Sequence, residues 1–293
     1  MRFPTFLLLA AGLLLTACKP SAPAAGSAGG AGVDAAPAAT TPAEAKSVDT
    51  TAVEAPQAKP AIDAAFAKDM PYATLRKQLL DAGWLPLRDP ACWENAGGGS
   101  SVCGDLPEVE SCSGDGYCNM AFANAADGAR IDVTTYGPYD RWNKPGEEAS
   151  VAVQSWKVST VATATAAAAC PSGDFEAFLQ DFAADEKIER AFTSPLVKVA
   201  ELGGGEDGDD TVLVYEAGAK YDGFNLVYAD RAFHFVDSEG TKDRAALPLK
   251  IESEGDDVRN VRYQYGMSEG NSYRFERKDG CWYLTQDPEP PSP

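Results

Sequence analysis

Six of the chain's seven cysteines lie between residues 92 and 281, and their spacing constrains the fold more than any other feature. Cys92, Cys103, Cys112 and Cys118 crowd together, whereas Cys170 and Cys281 stand at the ends of a 110-residue interval without another cysteine. An even number of cysteines fits oxidised pairs, which persist in oxidising compartments. A Cys170–Cys281 disulfide would close the second region end to end, and in the chain-entropy picture so long a loop contributes about 4–5 kcal/mol. The four early cysteines allow three pairings, of which the local one, Cys92–Cys103 with Cys112–Cys118, is preferred. Cys112-x5-Cys118 lacks the C-x-x-C spacing and the nearby histidine that a zinc site wants, so no metal is expected there.

The start of the chain supplies the compartment. Residues 1–17 combine one basic residue, an apolar run too short to span about 30 Å of hydrocarbon, and a small-residue ending, which together read as a signal peptide. The ending Leu15-Thr16-Ala17-Cys18 resembles the lipobox of bacterial lipoproteins. That resemblance implies cleavage before Cys18 and acylation of its sulfur, with several acyl chains giving a stable membrane anchor. Lys19 follows, not the aspartate that resembles an inner-membrane retention signal, so the expected address is the outer membrane, facing the periplasm. Residues 18–63 then form an Ala/Pro-rich tether with almost no large apolar side chain, which cannot offset its own ordering entropy. A flexible tether of that length spans roughly 35 Å root-mean-square.

Charge narrows the partners. The chain carries 44 acids against 25 bases, a formal net charge of −19. Repulsion from phosphate argues against nucleic acid. Residues 170–293 alone hold 26 acids against 13 bases. An acidic surface favours cationic partners and speeds their encounter.

The expected fold class is α+β in two parts, residues 64–160 and 170–287, with a linker at 161–169 and a disordered tail at 288–293. In the first part, Tyr72, Leu75, Leu79 and Ala82 recur at helical spacing between Pro71 and Gly83. Strand candidates follow at Tyr117–Ala123, Arg130–Thr135 and Val151–Val158, the middle one with clear period-two alternation. This predicts a small disulfide-bonded helix on an antiparallel sheet. Its layout resembles the repeat of beta-lactamase inhibitor protein and of small envelope lipoproteins, which implies protein binding through the sheet face. Tyr136, Tyr139, Arg141 and Trp142, in a Gly-Pro-rich loop, are the candidate binding anchors.

In the second part, Phe175, Phe178, Leu179 and Phe182 stripe a helix from Asp174 to Ala184. Glu186–Phe192 reads as a second helix, ended by Thr193-Ser194-Pro195. A run of strand-like segments reaches Thr285, predicting a cone with a curved antiparallel sheet. The spacing Phe175-x-x-Phe178-x-x-x-Phe182-x-x-Asp185, with Phe192-Thr193-Ser194-Pro195-Leu196, resembles the opening of bacterial lipoprotein domains of the nuclear-transport-factor-two-like superfamily. The ending Tyr273 to Leu284, with its Trp282-Tyr283 pair, resembles that superfamily's last hairpin. The resemblance implies a cone that hosts either an enzyme pocket or a binding scaffold.

Chemistry-bearing residues are few. His234 is the only histidine, and with Asp230 or Asp237 it is the only acid–base set for a cone enzyme. Phe233 and Phe235 share one strand face, so a core-facing pair would leave His234 outside. Glu206, Asp207, Asp209 and Asp210 sit in a glycine-rich loop; calcium likes such oxygens, but the spacing does not match a twelve-residue calcium loop. No phosphate loop or nucleophile elbow occurs, and no cofactor is expected. The function expected is a lipid-anchored periplasmic protein-binding module, an inhibitor or immunity protein against a cationic cell-wall-attacking enzyme. The alternatives are an envelope assembly or maintenance lipoprotein and, third, a cone enzyme using His234.

Overall fold

The computed structural model describes residues 62–97, 101–161, 169–202, 211–266 and 269–288. The signal peptide, Cys18, most of the tether, the Glu206–Asp210 acids and the tail beyond residue 288 lie outside the described residues.

The N-terminal half opens with a 3-10 turn at Ile62–Ala65 and helix α1 (Tyr72–Asp81). Tyr72, Leu75 and Leu79 recur on one face of α1 and are all fully buried. Gly83, at φ +82°, turns the chain out of the helix into strand β1 (Leu85–Arg88), a conformation that glycine adopts without Cβ strain. Two single-turn helices follow, α2 (Cys92–Asn95) and α3 (Val102–Asp105), and the Cys92–Cys103 disulfide ties them together. Strands β2 (Val109–Cys112), β3 (Tyr117–Asn124), β4 (Ala129–Tyr136) and β5 (Ala152–Thr160) form an antiparallel array. Its inner face carries Met120, Phe122, Ile131, Val133 and Val153 against α1. The chain entering α1 is clipped to the start of β5 by Asp69 N–H to Val153 O at 2.8 Å and Tyr72 N–H to Val151 O at 2.8 Å.

The C-terminal half begins with α4 (Phe175–Ala184) and α5 (Glu186–Phe192). Asp174 caps α4 by accepting from Ala177 N–H at 2.9 Å, a contact worth about 1 kcal/mol. Phe175, Phe178, Leu179 and Phe182 form the buried stripe, each contributing about 1.5–3 kcal/mol by leaving water. Strands β6 (Thr193–Leu202), β7 (Thr211–Ala217), β8 (Leu226–Ala229), β9 (Ala232–Phe235), β10 (Lys250–Ser253), β11 (Val258–Tyr265), β12 (Glu269–Lys278) and β13 (Cys281–Asp287) complete the order. Strands β8 and β9 pair as a separate hairpin. The Cys170–Cys281 disulfide joins the start of this half to its last strand, and Cys112–Cys118 bridges β2 to β3.

The sequence predicts antiparallel sheets in two separate parts, whereas one mixed sheet runs through both, in the order β10-β11-β12-β13-β6-β7-β1-β3-β4-β5 with β2 beside β3. Two of its junctions are parallel, β13 with β6 and β1 with β7. Alternation along a strand fixes which face a side chain takes, but not the direction of the neighbouring strand, so the parallel junctions leave no local trace. Residues Thr193-Ser194-Pro195 open β6 instead of only ending α5. Pro195 has no N–H to give, and it lies where the β6–β13 register slips between Leu284 paired with Thr193 and Gln286 paired with Lys198.

Candidate functional site

The β3–β4 hairpin pairs Tyr117 with Tyr136 at its open end. Their rings lie 4.8 Å apart, and both face water, at 44% and 47% exposure. The Cys112–Cys118 bridge pins β2 to β3 next to Tyr117, with Cα atoms 4.1 Å apart. Gly137 closes the corner at φ +143°, where any side chain would collide with the Ser150 carbonyl. Asp115 and Asp140 stand exposed nearby in sequence.

The other expected anchors have different duties. The Tyr139 hydroxyl donates to the Gly116 carbonyl at 3.2 Å and lies 2.9 Å from Thr135 Oγ1, so it pins the loop. Trp142 packs on Tyr72 with ring centroids 6.2 Å apart, and the Arg76 guanidinium lies 5.1 Å over its indole. Arg76 Nε donates to Glu108 at 2.5 Å, and the Tyr72 hydroxyl donates to the same fully buried carboxylate. Burial, followed by the charge of Glu108, pushes the Tyr72 phenol well above its ordinary range, so it stays a donor. Arg141 pairs with Glu147 at 2.9 Å. Of the four anchors read from sequence, Tyr136 is therefore the one whose ring stands open to solvent. Its companion Tyr117 escapes a loop-by-loop reading; counting register across the β3–β4 turn would have found it.

The interior of the C-terminal half is filled by rings. Phe182 stands edge-on to Phe224 at 4.9 Å and to Phe275 at 5.3 Å, and Phe175 edge-on to Trp282 at 5.0 Å. His234 is neither outside nor in that cluster. It is 5% exposed, with Nδ1 3.0 Å from the Ala245 carbonyl and Nε2 3.2 Å from the Ala229 carbonyl. Phe233 and Phe235 are themselves half-buried, against Tyr228 and Tyr265. The loop after β9 folds back over the histidine, which alternation along the strand could not reveal. The imidazole N–H donates to one of these two carbonyls, and the ring lies wedged between the end of β8 and that loop. Asp230 instead pairs with Lys242 at 3.0 Å, and Asp237 accepts from the backbone of Thr241 at 2.8 Å.

At the β1–β7 junction, Arg88 of β1 is registered with Glu216 of β7. Its guanidinium reaches Glu216 at 3.0 Å and also pairs with Glu201. One cation shared by two carboxylates leaves a negative charge over. Burial pushes the Glu216 carboxyl up to about 7; Arg88 opposes this, and Glu201, Asp222 and Asp287 reinforce it. Lys220 closes the junction on Asp89 at 2.7 Å. Burial works against the Asp89 charge, but Lys220 and the Ala91 N–H hold its carboxyl below the usual range. The opposite face of the same strands carries Leu87, Leu196 and Tyr215 and borders a cleft of about 280 Å³.

Among the described residues, no group of His, Cys, Asp and Glu side chains is placed to hold a metal ion, and no helix is long and apolar enough to cross a membrane. No protein-family model and no curated protein matches the chain. Among solved structures, a distant neighbour is an NTF2-like protein from Bacteroides fragilis NCTC 9343. It is 10% identical, with 72% of this chain and 75% of that chain covered at a TM-score of 0.28. So loose a likeness carries no argument about what this chain does.

Proposed function

We propose that the chain is a lipid-anchored periplasmic protein-binding module, an inhibitor or immunity protein directed against a cationic enzyme that attacks the cell wall. The exposed Tyr117–Tyr136 pair carries this reading. Two aromatic rings held by a strand register and a neighbouring disulfide offer apolar contact area with little entropy left to lose on binding. The net charge of −19 supports a cationic partner. Rings occupying the interior of the C-terminal half support a scaffold more than a substrate chamber. The lipobox-like Leu15–Cys18 segment supports the anchor and the outer-membrane address.

The test immobilises the full chain, disulfides intact, and challenges it with an envelope extract at low and moderate salt. Retention of a cationic hydrolase that added salt weakens, and whose activity the chain titrates away, is the expected result. Tyr136→Ala should weaken that complex about tenfold or more, the scale of an aromatic hot spot. Recovery of membrane-assembly components instead would move the reading to envelope maintenance. No retained hydrolase at either salt, or a complex indifferent to Tyr136→Ala, overturns it.

A further inference from the structure

The cleft beside the β1–β7 junction lies across the sheet from the Arg88 cluster and has no part in the tyrosine surface. Its volume, about 280 Å³, is room for roughly nine waters or a molecule of dipeptide size. Leu196, Pro195 and Val161 give it an aliphatic wall, and the β3–β4 turn, through Ala125 and Gly128, closes one side. The polar groups converging on it are Lys198, Lys278, Glu276, Tyr215 and Gln286.

Lys198 is the unusual member. It sits in the middle of β6, half-buried between the buried Val197 and Val199, and it faces the neutral Tyr215 and Gln286 in the strands on either side. Among the described residues it makes no ion pair, in a chain whose acids outnumber its bases 44 to 25. Holding an ammonium partly out of water without a counter-charge is unfavourable unless something supplies that charge. Glu276 is shared by Lys278 at 3.7 Å and by Arg274 at 3.3 Å, and Arg274 also pairs with Glu254 at 2.6 Å, so these groups together with Lys198 leave a single positive charge at the cleft. A monoanion balances that charge, whereas a doubly charged phosphate would exceed it. No arginine fork lines the cleft to favour phosphate geometry.

We propose that this cleft binds a small monocarboxylate of amino-acid to dipeptide size, its carboxylate held by Lys198 and Lys278 and its body on Leu196, Pro195 and Val161. The phenol of Tyr215 and the amide of Gln286 are placed to donate to the ligand's remaining polar atoms.

The test titrates N-acetyl-alanyl-alanine into the ¹⁵N-labelled full chain and follows backbone amide shifts. Saturable shifts are expected along Leu196–Val199 and Leu284–Gln286. At pH 8, where inorganic phosphate is mainly the dianion, it and the C-terminal amide of the same dipeptide should each bind about tenfold more weakly, since they forfeit the charge match. Lys198→Met should weaken the carboxylate about tenfold, and Lys198→Arg should restore most of it. If Lys198→Met fails to fold, Lys278→Met makes the same measurement. Acetylalanine in place of the dipeptide distinguishes a free small carboxylate from a peptide end: equal affinity points to the former, a large loss to the latter. Absence of saturable shifts, equal binding of acid and amide, or lysine variants that bind as the parent does would each overturn the proposal.

Discussion

The two halves of this molecule use disulfides for opposite purposes. In the N-terminal half, Cys92–Cys103 and Cys112–Cys118 close loops of only 11 and 6 residues, and an aliphatic core under α1 does most of the packing. In the C-terminal half, Cys170–Cys281 spans 111 residues around a core made largely of aromatic rings. Short bridges remove little unfolded-state freedom but fix a local shape, here the ground beneath Tyr117. The long bridge restrains the whole unfolded chain, and its Cys281 is registered with Lys278 at the end of β12, not with either tyrosine. Sequence separation therefore distinguishes bridges that set a local shape from a bridge that restrains the whole C-terminal half.

That contrast can be broken in several ways. Replacing Cys170 and Cys281 by alanine together should cost about 4–5 kcal/mol in denaturant unfolding, an upper-end figure, and leave partner affinity unchanged. Arg88→Met should cost about 2–3 kcal/mol, because it strands two carboxylates that are each less than a quarter exposed. Calorimetry should then resolve two transitions, one for each half; a single transition would show that the shared sheet still couples them.

The charge left over at the junction sets a pH dependence. Glu216 has a folded pKa of about 7, above its ordinary value of 4.5, so the folded state holds the proton more tightly. Its penalty is absent below about pH 4.5, grows as pH rises to about 7, and is constant above that. Glu216→Gln should therefore gain about 2–3 kcal/mol relative to the parent across that window, measured by urea unfolding at pH 4.5 and 8. Glu189, also raised to about 7 by burial and then by Glu186, shifts the parent curve in the same direction and remains in the variant.

The two smallest stability effects separate shape from contact. Removing the Cys112–Cys118 bridge should cost about 2 kcal/mol and also loosen the tyrosine pair, so affinity falls with stability. Tyr136→Ala should change stability by no more than about 0.5 kcal/mol while affinity drops. Melting curves beside binding isotherms for both variants check this.

Local pattern carried the elements well. The stripe Tyr72, Leu75, Leu79 and the stripe Phe175, Phe178, Leu179, Phe182 are the buried faces of α1 and α4, and the alternating segment at Arg130–Thr135 lies within strand β4. What stayed hidden depends on partners distant in the chain. Leu87 beside Tyr215 and Arg88 beside Glu216 leave no periodic mark, because neither strand needs an unusual residue to accept a parallel neighbour. Short helices such as Cys92–Asn95 are too brief for a 3.6-residue period to show. Trp142 reads as an exposed loop aromatic because Arg76 and Tyr72, which cover it, lie on a helix more than sixty residues earlier.

The β1–β7 junction also sets a timetable for the growing chain. Arg88 waits for Glu216, 128 residues later, and until then one edge of β1 has no neighbour. At about 10 residues per second that wait lasts roughly ten seconds. During it, a strand edge next to apolar Leu87 is open to any passing chain. Whatever escorts this polypeptide between its synthesis and its closure has the most to do in that interval, shielding a segment whose natural cover does not yet exist.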